Sequence, residues 1–116
     1  MDDPARLDAI FAALADPVRR GMVARLAGGE MGATELAAPL VISQPAVSRH
    51  IKVLERAGLI LRRVDGTRRP CRLAPDALAG IEAWADTMRR TMAANYDRLD
   101  GVLSEMEERE NDQTDP

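Results

Sequence analysis

The polar residues Gln44, Ser48, Arg49, Lys52 and Arg56 fall on one side of a 13- to 15-residue segment whose other side carries Val47, Ile51 and Leu54 at i, i+4 and i+7. That spacing predicts an amphipathic helix with a buried stripe and a chemically varied outer face. The outer residue types suit hydrogen bonding to flat heterocycles and phosphates. Glutamine can bond an adenine edge, arginine a guanine edge, serine either, and lysine or arginine a phosphate oxygen. Chemistry of bond making is not in evidence. There is no glycine-rich phosphate loop, and His50 and Cys71 are the only histidine and cysteine, so no nucleophile and base pair is spaced for catalysis. An enzyme is not expected, and neither is a cofactor or a metal. One thiol and one imidazole cannot make a disulfide or a structural zinc site.

Charge sharpens this expectation. The net charge is −3, but it is polarised along the 116 residues. Between Ser43 and Leu73 eight basic residues face two acids, Glu55 and Asp65, a net of +6. From Asp97 to Pro116 eight acids face Arg98 and Arg109, a net of −6. The basic block is the candidate electrostatic footprint. Within it Arg62 and Arg63 precede an Asp65-Gly66 turn and Arg68 and Arg69 follow it, a basic ribbon suited to phosphates or a minor groove. The plainer alternatives are a solvated helix face and charge protection of a sheet edge.

The elements that must position these residues follow from caps and periodicity. Pro4 to Leu14 reads as a first helix with Leu7, Ile10, Phe11 and Leu14 at helical intervals. Asp16 caps a second helix with Pro17 at its first position, running to about Ala27 and stopped by Gly28-Gly29. Thr34 is expected to cap a short third helix from Glu35 to about Leu40, with Leu36 and Leu40 inward. Val41-Ile42 makes a tight connection, Ser43 caps the fourth helix, and Pro45 is tolerated in its first turn. Gly58 closes that helix, and the apolar period changes. Leu59 to Val64 and a return through Cys71 and Leu73 form a two-stranded hairpin. Pro75 and Asp76 begin a long last helix, and Asn111 to Pro116 form an acidic tail.

The last helix carries a heptad seam. Leu78, Ala85, Met92, Leu99 and Met106 recur every seven residues, with Ile81, Met88, Asn95 and Val102 as companions. A stripe this long exceeds what so small a domain can cover, so self-association is the economical explanation, with Asn95 fixing register and Leu7 and Phe11 of the first helix joining the interface. Met88, Met92 and Met106 would also suit a small apolar ligand, although Met at helical spacing is more often core. The fold class is mainly α with a β-hairpin wing, a winged helix-turn-helix with a long C-terminal dimerisation helix. Residues 1–110 form one domain, with a DNA-reading part at about 32–73, dimerisation helices at about 4–15 and 76–109, and the tail at 111–116. Hydrophobic residues make up 46% of the chain and aromatics 3%, which suits a helical core of Ala, Leu, Val, Ile and Met. No apolar run approaches a membrane span, no basic start precedes one, and a cytoplasmic location is expected.

Leu14-Ala15-Asp16-Pro17-Val18-Arg19-Arg20, the segment Gln44 to Leu54 and Gly58-Leu59-Ile60 strongly resemble the ArsR/SmtB family of winged-helix repressors. The resemblance implies a homodimer on a palindromic double-stranded DNA operator, with the fourth helix in the major groove and the hairpin as wing. Gln44, Ser48 and Arg49 match the base-reading face; Thr34, Ser43, His50 and Arg68 match phosphate contacts, to which charge adds Lys52, Arg62, Arg63 and Arg69. Metal-sensing relatives carry Cys-x-Cys in the third helix or His and acidic ligands in the last. This chain has neither, so an unknown non-metal signal is expected to release it, and redox chemistry at Cys71 would need a partner molecule or a single-thiol modification. The rival function is a protein-interaction module using the acidic last helix, with DNA contact secondary.

Overall fold

The computed structural model describes residues 4–114, in the order α1 (Pro4–Leu14), α2 (Pro17–Leu26), α3 (Ala33–Ala37), α4 (Gln44–Arg56), β1 (Ile60–Arg62), β2 (Cys71–Leu73) and α5 (Ala79–Thr114). The chain divides into two compact units, one ending at Gly80 and the other beginning at Ile81. Met1 to Asp3 and the last two positions of the expected tail, Asp115 and Pro116, lie outside the described residues.

The first unit is built around the stripe that periodicity marked on α4. Val47, Ile51 and Leu54 are buried, and they meet Met22, Val23 and Leu26 of α2, Leu36 of α3, and Leu59 and Ile60 at the entrance to the hairpin. Burying side chains of this size is the main stabilising term for so small a unit, about 1.5–3 kcal/mol each. No polar or charged residue is buried with them among the described residues. The two α-helical starts expected from sequence are present. The Asp16 carboxylate accepts from the backbone N–H groups of Val18 and Arg19, and the Ser43 hydroxyl oxygen accepts from Ala46 N–H. Gly58, at φ +79°, ends the α4 turn in a conformation that favours glycine.

Three local expectations are corrected. α3 starts at Ala33, not Glu35, with Gly32 rather than Thr34 at its N-cap; the Glu35 carboxylate satisfies the Gly32 N–H at 3.4 Å. A threonine two residues into the helix has no orphan donor to cap, and Leu40 falls in the turn beyond the helix, half-buried. α5 begins at Ala79, because Pro75 to Leu78 form a turn closed by Ala77 N–H to Ala74 O and Ala79 N–H to Asp76 O. Leu78 therefore precedes the seam rather than opening it. At the other end helix continues through Thr114, so positions 111–114 of the expected tail are helical.

The hairpin is shorter than Leu59 to Val64 suggested. β1 and β2 pair antiparallel as Ile60 with Leu73, Leu61 with Arg72, and Arg62 with Cys71. Beyond them Asp65 and Arg68 exchange both backbone bonds around the two central residues Gly66 and Thr67. Gly66, at φ +62°, takes the first central position, as a II′ turn requires. The turn dipeptide is thus displaced by one residue from Asp65-Gly66. Met31, in the α2–α3 connection, pairs with Cys71 through bonds of 3.0 and 2.8 Å and ties the returning strand to the helical body.

The second unit is the helix α5 from Ile81 onward. α5 as a whole spans 36 residues, about 54 Å. Met88, Met92, Leu99, Val102 and Met106 are exposed along it, with Tyr96 and Leu103 widening the same stripe. Asn95 accepts a 2.7 Å hydrogen bond from Arg98, and Ile81 is half-buried. In the first unit Leu7 is half-buried, 3.5 Å from where a Cβ on Gly80 would stand, and Phe11 is 38% exposed. No helix among the described residues is long and apolar enough to cross a membrane.

Candidate nucleic-acid interface

Burying Val47, Ile51 and Leu54 turns the remaining surface of α4 outward, and Gln44, Ser48, Arg49 and Lys52 are all exposed. None of these four side chains makes a hydrogen bond or ion pair with another described residue. Their donors and acceptors are unspent, and Gln44 and Ser48 stand one turn apart, about 6 Å along the axis. Ser43 uses its oxygen as the cap of α4 and keeps its O–H as a donor. Thr34 sits exposed as the second residue of α3.

The wing arginines separate into engaged and free. The Arg63 guanidinium forms a two-pronged pair with Glu30, Nε to Oε2 at 2.9 Å and Nη2 to Oε1 at 2.7 Å, and lies 3.8 Å from Asp65. The hydrogen bond from Arg63, backed by its charge, holds the Glu30 carboxyl below the usual carboxylate range, and the same bond raises the arginine. Arg62 stands 3.6 Å from Glu55 of α4. Arg69 turns back on the hairpin, donating to the carbonyls of Gly66 and Arg68. Arg68 is exposed and without a side-chain partner among the described residues. A cleft of about 610 Å³ lies between the wing and the start of α3, and it brings Thr34 together with Arg63, Arg68 and Arg69, with Glu30 and Glu35 on its walls. Of the eight residues expected at phosphates, Thr34, Arg63, Arg68 and Arg69 line this concavity and Ser43, His50, Lys52 and Arg62 do not, and Arg63 faces a carboxylate across it.

His50 does not stand free on α4. It is half-buried, and its Nδ1 accepts from Arg19 Nη1 at 3.2 Å. Arg19 also donates from Nε to Ala13 O at 2.7 Å and from Nη2 to Ala12 O at 3.3 Å, and lies 3.9 Å from Asp16. Arg20 donates to the carbonyls of Leu14 and Ala15, and Arg25 to those of Glu35 and Leu36. These three arginines close the C-terminal ends of α1 and α3, roles that sequence reasoning missed. The signal was the lack of a glycine after either helix: Ala15-Asp16-Pro17 turns the chain in two residues, so the last carbonyls of α1 need donors from elsewhere. The amide of Arg19, opposed by burial and then helped by the amide of Val18 and the nearby guanidinium, holds the Asp16 carboxyl below its ordinary value. Cys71 is buried under the sheet, which pushes its thiol up.

A helix-turn-helix domain model matches residues 14–63. The chain is 42% identical over 92 residues to the HTH-type transcriptional regulator Rv2034 of Mycobacterium tuberculosis, covering 79% of this chain and 86% of that one. Its fold superposes with a TM-score of 0.75 on the crystal structure of an ArsR family transcriptional regulator, RHA00566, at 34% identity over 79% of this chain and 95% of that chain. The chain belongs to the ArsR family of transcriptional regulators. The ArsR family is one of DNA-binding winged helix-turn-helix proteins rather than enzymes, and the elements above are its parts: α3 and α4 form the helix-turn-helix and the β1–β2 hairpin the wing. A homodimeric winged helix-turn-helix DNA-binding domain from Mycobacterium bovis, solved in solution, shares the fold at a TM-score of 0.60 and 23% identity, over 78% of this chain and 84% of that one.

Proposed function

We propose that this ArsR-family regulator is a homodimeric repressor that reads a palindromic operator with α4, holds the backbone with its wing, and is released by a signal other than a metal ion. The observation that carries the proposal is the set of unspent polar groups on α4. Gln44, Ser48 and Arg49 are exposed and without side-chain partners among the described residues, on the helix whose opposite side is locked into the core. In this reading they meet base edges, while Lys52 and Arg68, with Thr34, Ser43 and His50, meet phosphates. Arg62, Arg63 and Arg69 contribute mainly by shaping the wing, since each already has a partner.

Dimerisation is supported by the open stripe of Met88, Met92, Leu99, Val102 and Met106 on α5, and by the homodimeric state of the Mycobacterium bovis domain. Ile81, Asn95, Leu7 and Phe11 complete the proposed interface. An interface of this length buries apolar area that a single chain leaves in water. A non-metal signal fits the chemistry present: the sole cysteine is buried and the sole histidine is bonded to Arg19.

The test is selection of DNA fragments by the purified protein, followed by footprinting. A pair of inverted half-sites one helical turn apart, about 34–36 Å centre to centre, and affinity that falls with salt are expected. Selection of no sequence, with binding indifferent to salt, would favour the acidic α5 as a protein-docking element instead.

A further inference from the structure

We infer that Arg19 is a positioning residue for DNA binding: it fixes His50 as the Nε2–H tautomer and so presents that N–H to a phosphate. The inference rests on the proposed contact between His50 and the operator backbone. The chemistry at the two side chains is one-sided. A guanidinium has five N–H donors and no lone pair to accept with. The 3.2 Å bond between Arg19 Nη1 and His50 Nδ1 therefore requires the lone pair on Nδ1 and, in the neutral ring, the proton on Nε2. A neutral imidazole left alone exchanges tautomers, and the other tautomer shows a phosphate the Nε2 lone pair rather than an N–H.

Arg19 has the rigidity that such a role needs. Its side chain is 18% exposed and held at three further points: Nε on Ala13 O, Nη2 on Ala12 O, and Nη1 near the Asp16 carboxylate. Asp16 is in turn fixed by its cap bonds to Val18 and Arg19 N–H. The chain of contacts runs from the end of α1 through the first turn of α2 to the middle of α4, next to Arg49. Arg19 therefore satisfies the α1 carbonyls and orients a residue on the recognition helix at once. The Asp16-Pro17-Val18-Arg19 motif, which by itself signals only a helix start, acquires a function at the DNA surface.

Because His50 is the only histidine, the test has a clean spectroscopic signature. Full-length protein labelled with 15N-histidine is examined by long-range 1H–15N correlation across a pH series, the neutral ring being read where its nitrogen shifts have levelled off. A pyridine-type Nδ1 and a protonated Nε2 are expected, changing to a tautomer mixture in Arg19→Ala and Arg19→Lys. On DNA, Arg19→Ala should weaken operator binding about fourfold in a chain with His50, a factor of about two per protomer for a donor tautomer populated about half the time, and by almost nothing in a His50→Ala background. A merely structural Arg19 would cost the same in every background and overturn the inference, as would a protonated Nδ1 in the unaltered protein. If the tautomer is as inferred but His50→Ala binds the operator normally, it is the phosphate contact that fails, and the positioning role falls with it.

Discussion

The division of the wing arginines into free and engaged groups has a measurable consequence in the salt dependence of DNA binding. Each phosphate neutralised by a cationic side chain adds about 0.9 to the slope of log K against log salt. Arg68 has no partner among the described residues, so Arg68→Ala removes one phosphate contact per protomer, two per dimer, and lowers the slope by about 1.8. Between 50 and 200 mM salt, the affinity lost by the variant should be roughly 12-fold smaller than that lost by the unaltered protein. Arg63 is different, because both prongs of its guanidinium already meet Glu30 at 2.7 and 2.9 Å. Arg63→Ala should leave the slope nearly unchanged and shift affinity by the loosening of the wing, a surface pair of this exposure being worth about 0–1 kcal/mol. Fluorescence anisotropy titrations at five or six salt concentrations on one operator measure both slopes. Equal reductions for the two variants would show that Arg63 leaves Glu30 for the DNA, and would refute the assignment of roles from internal partners.

Arg49→Ala should relax base preference at one position of each half-site by about 1–3 kcal/mol while leaving the salt slope less affected than Arg68→Ala does, as read by selection on randomised operators. Met92→Glu combined with Leu99→Glu should yield monomers by sedimentation that keep their helical circular dichroism and no longer bind an operator; surviving dimers would place the interface elsewhere. The Asp16 carboxyl is held below its ordinary value of 3.8, so it contributes stability that is full above that pH and lost as pH falls further. Asp16→Asn should flatten that acid limb in thermal melts. Burial raises the Cys71 thiol above its ordinary value of 9.0, so it should resist thiol reagents at neutral pH, and stability should fall as pH rises through about 9; Cys71→Ala should remove that alkaline limb.

The parts of the fold that were legible in the sequence are those set by neighbours a few residues apart. The stripe Val47, Ile51, Leu54 and the caps Asp16 and Ser43 depend on helical spacing and on bonds spanning two or three residues, and all five stand as expected. The start of α3 was misjudged because Gly32 and Thr34 are both acceptable near a helix start, and the choice fell to Glu35, whose carboxylate reaches back to Gly32 N–H. The late start of α5 has the same character. Pro75-Asp76 is a good opening in isolation, but the backbone there is used in a turn that buries Ala77.

The candidate site was legible in its residue types and not in their partners, and arginine shows why. A guanidinium that binds phosphate, caps a helix or pairs with a carboxylate presents the same letter, and the choice depends on what tertiary structure brings within 3 Å. Glu30 is 33 residues from Arg63 in sequence, and they meet because Met31 pairs with Cys71 and lays the α2–α3 connection against the wing. The net of +6 between Ser43 and Leu73 therefore overstates the charge open to DNA, since Glu30, from outside that segment, takes up Arg63, and Glu55 faces Arg62. What the field loses, the geometry regains. A hairpin with two central residues and no more than three ladder pairs is too small to hold its own direction, and a two-stranded ribbon is marginal in water. Spending Arg63 on Glu30 and the Cys71 backbone on Met31 anchors that ribbon at two points, so that Arg68 at its tip is held near one place before DNA arrives and less ordering is left to offset the binding energy of its phosphate contact.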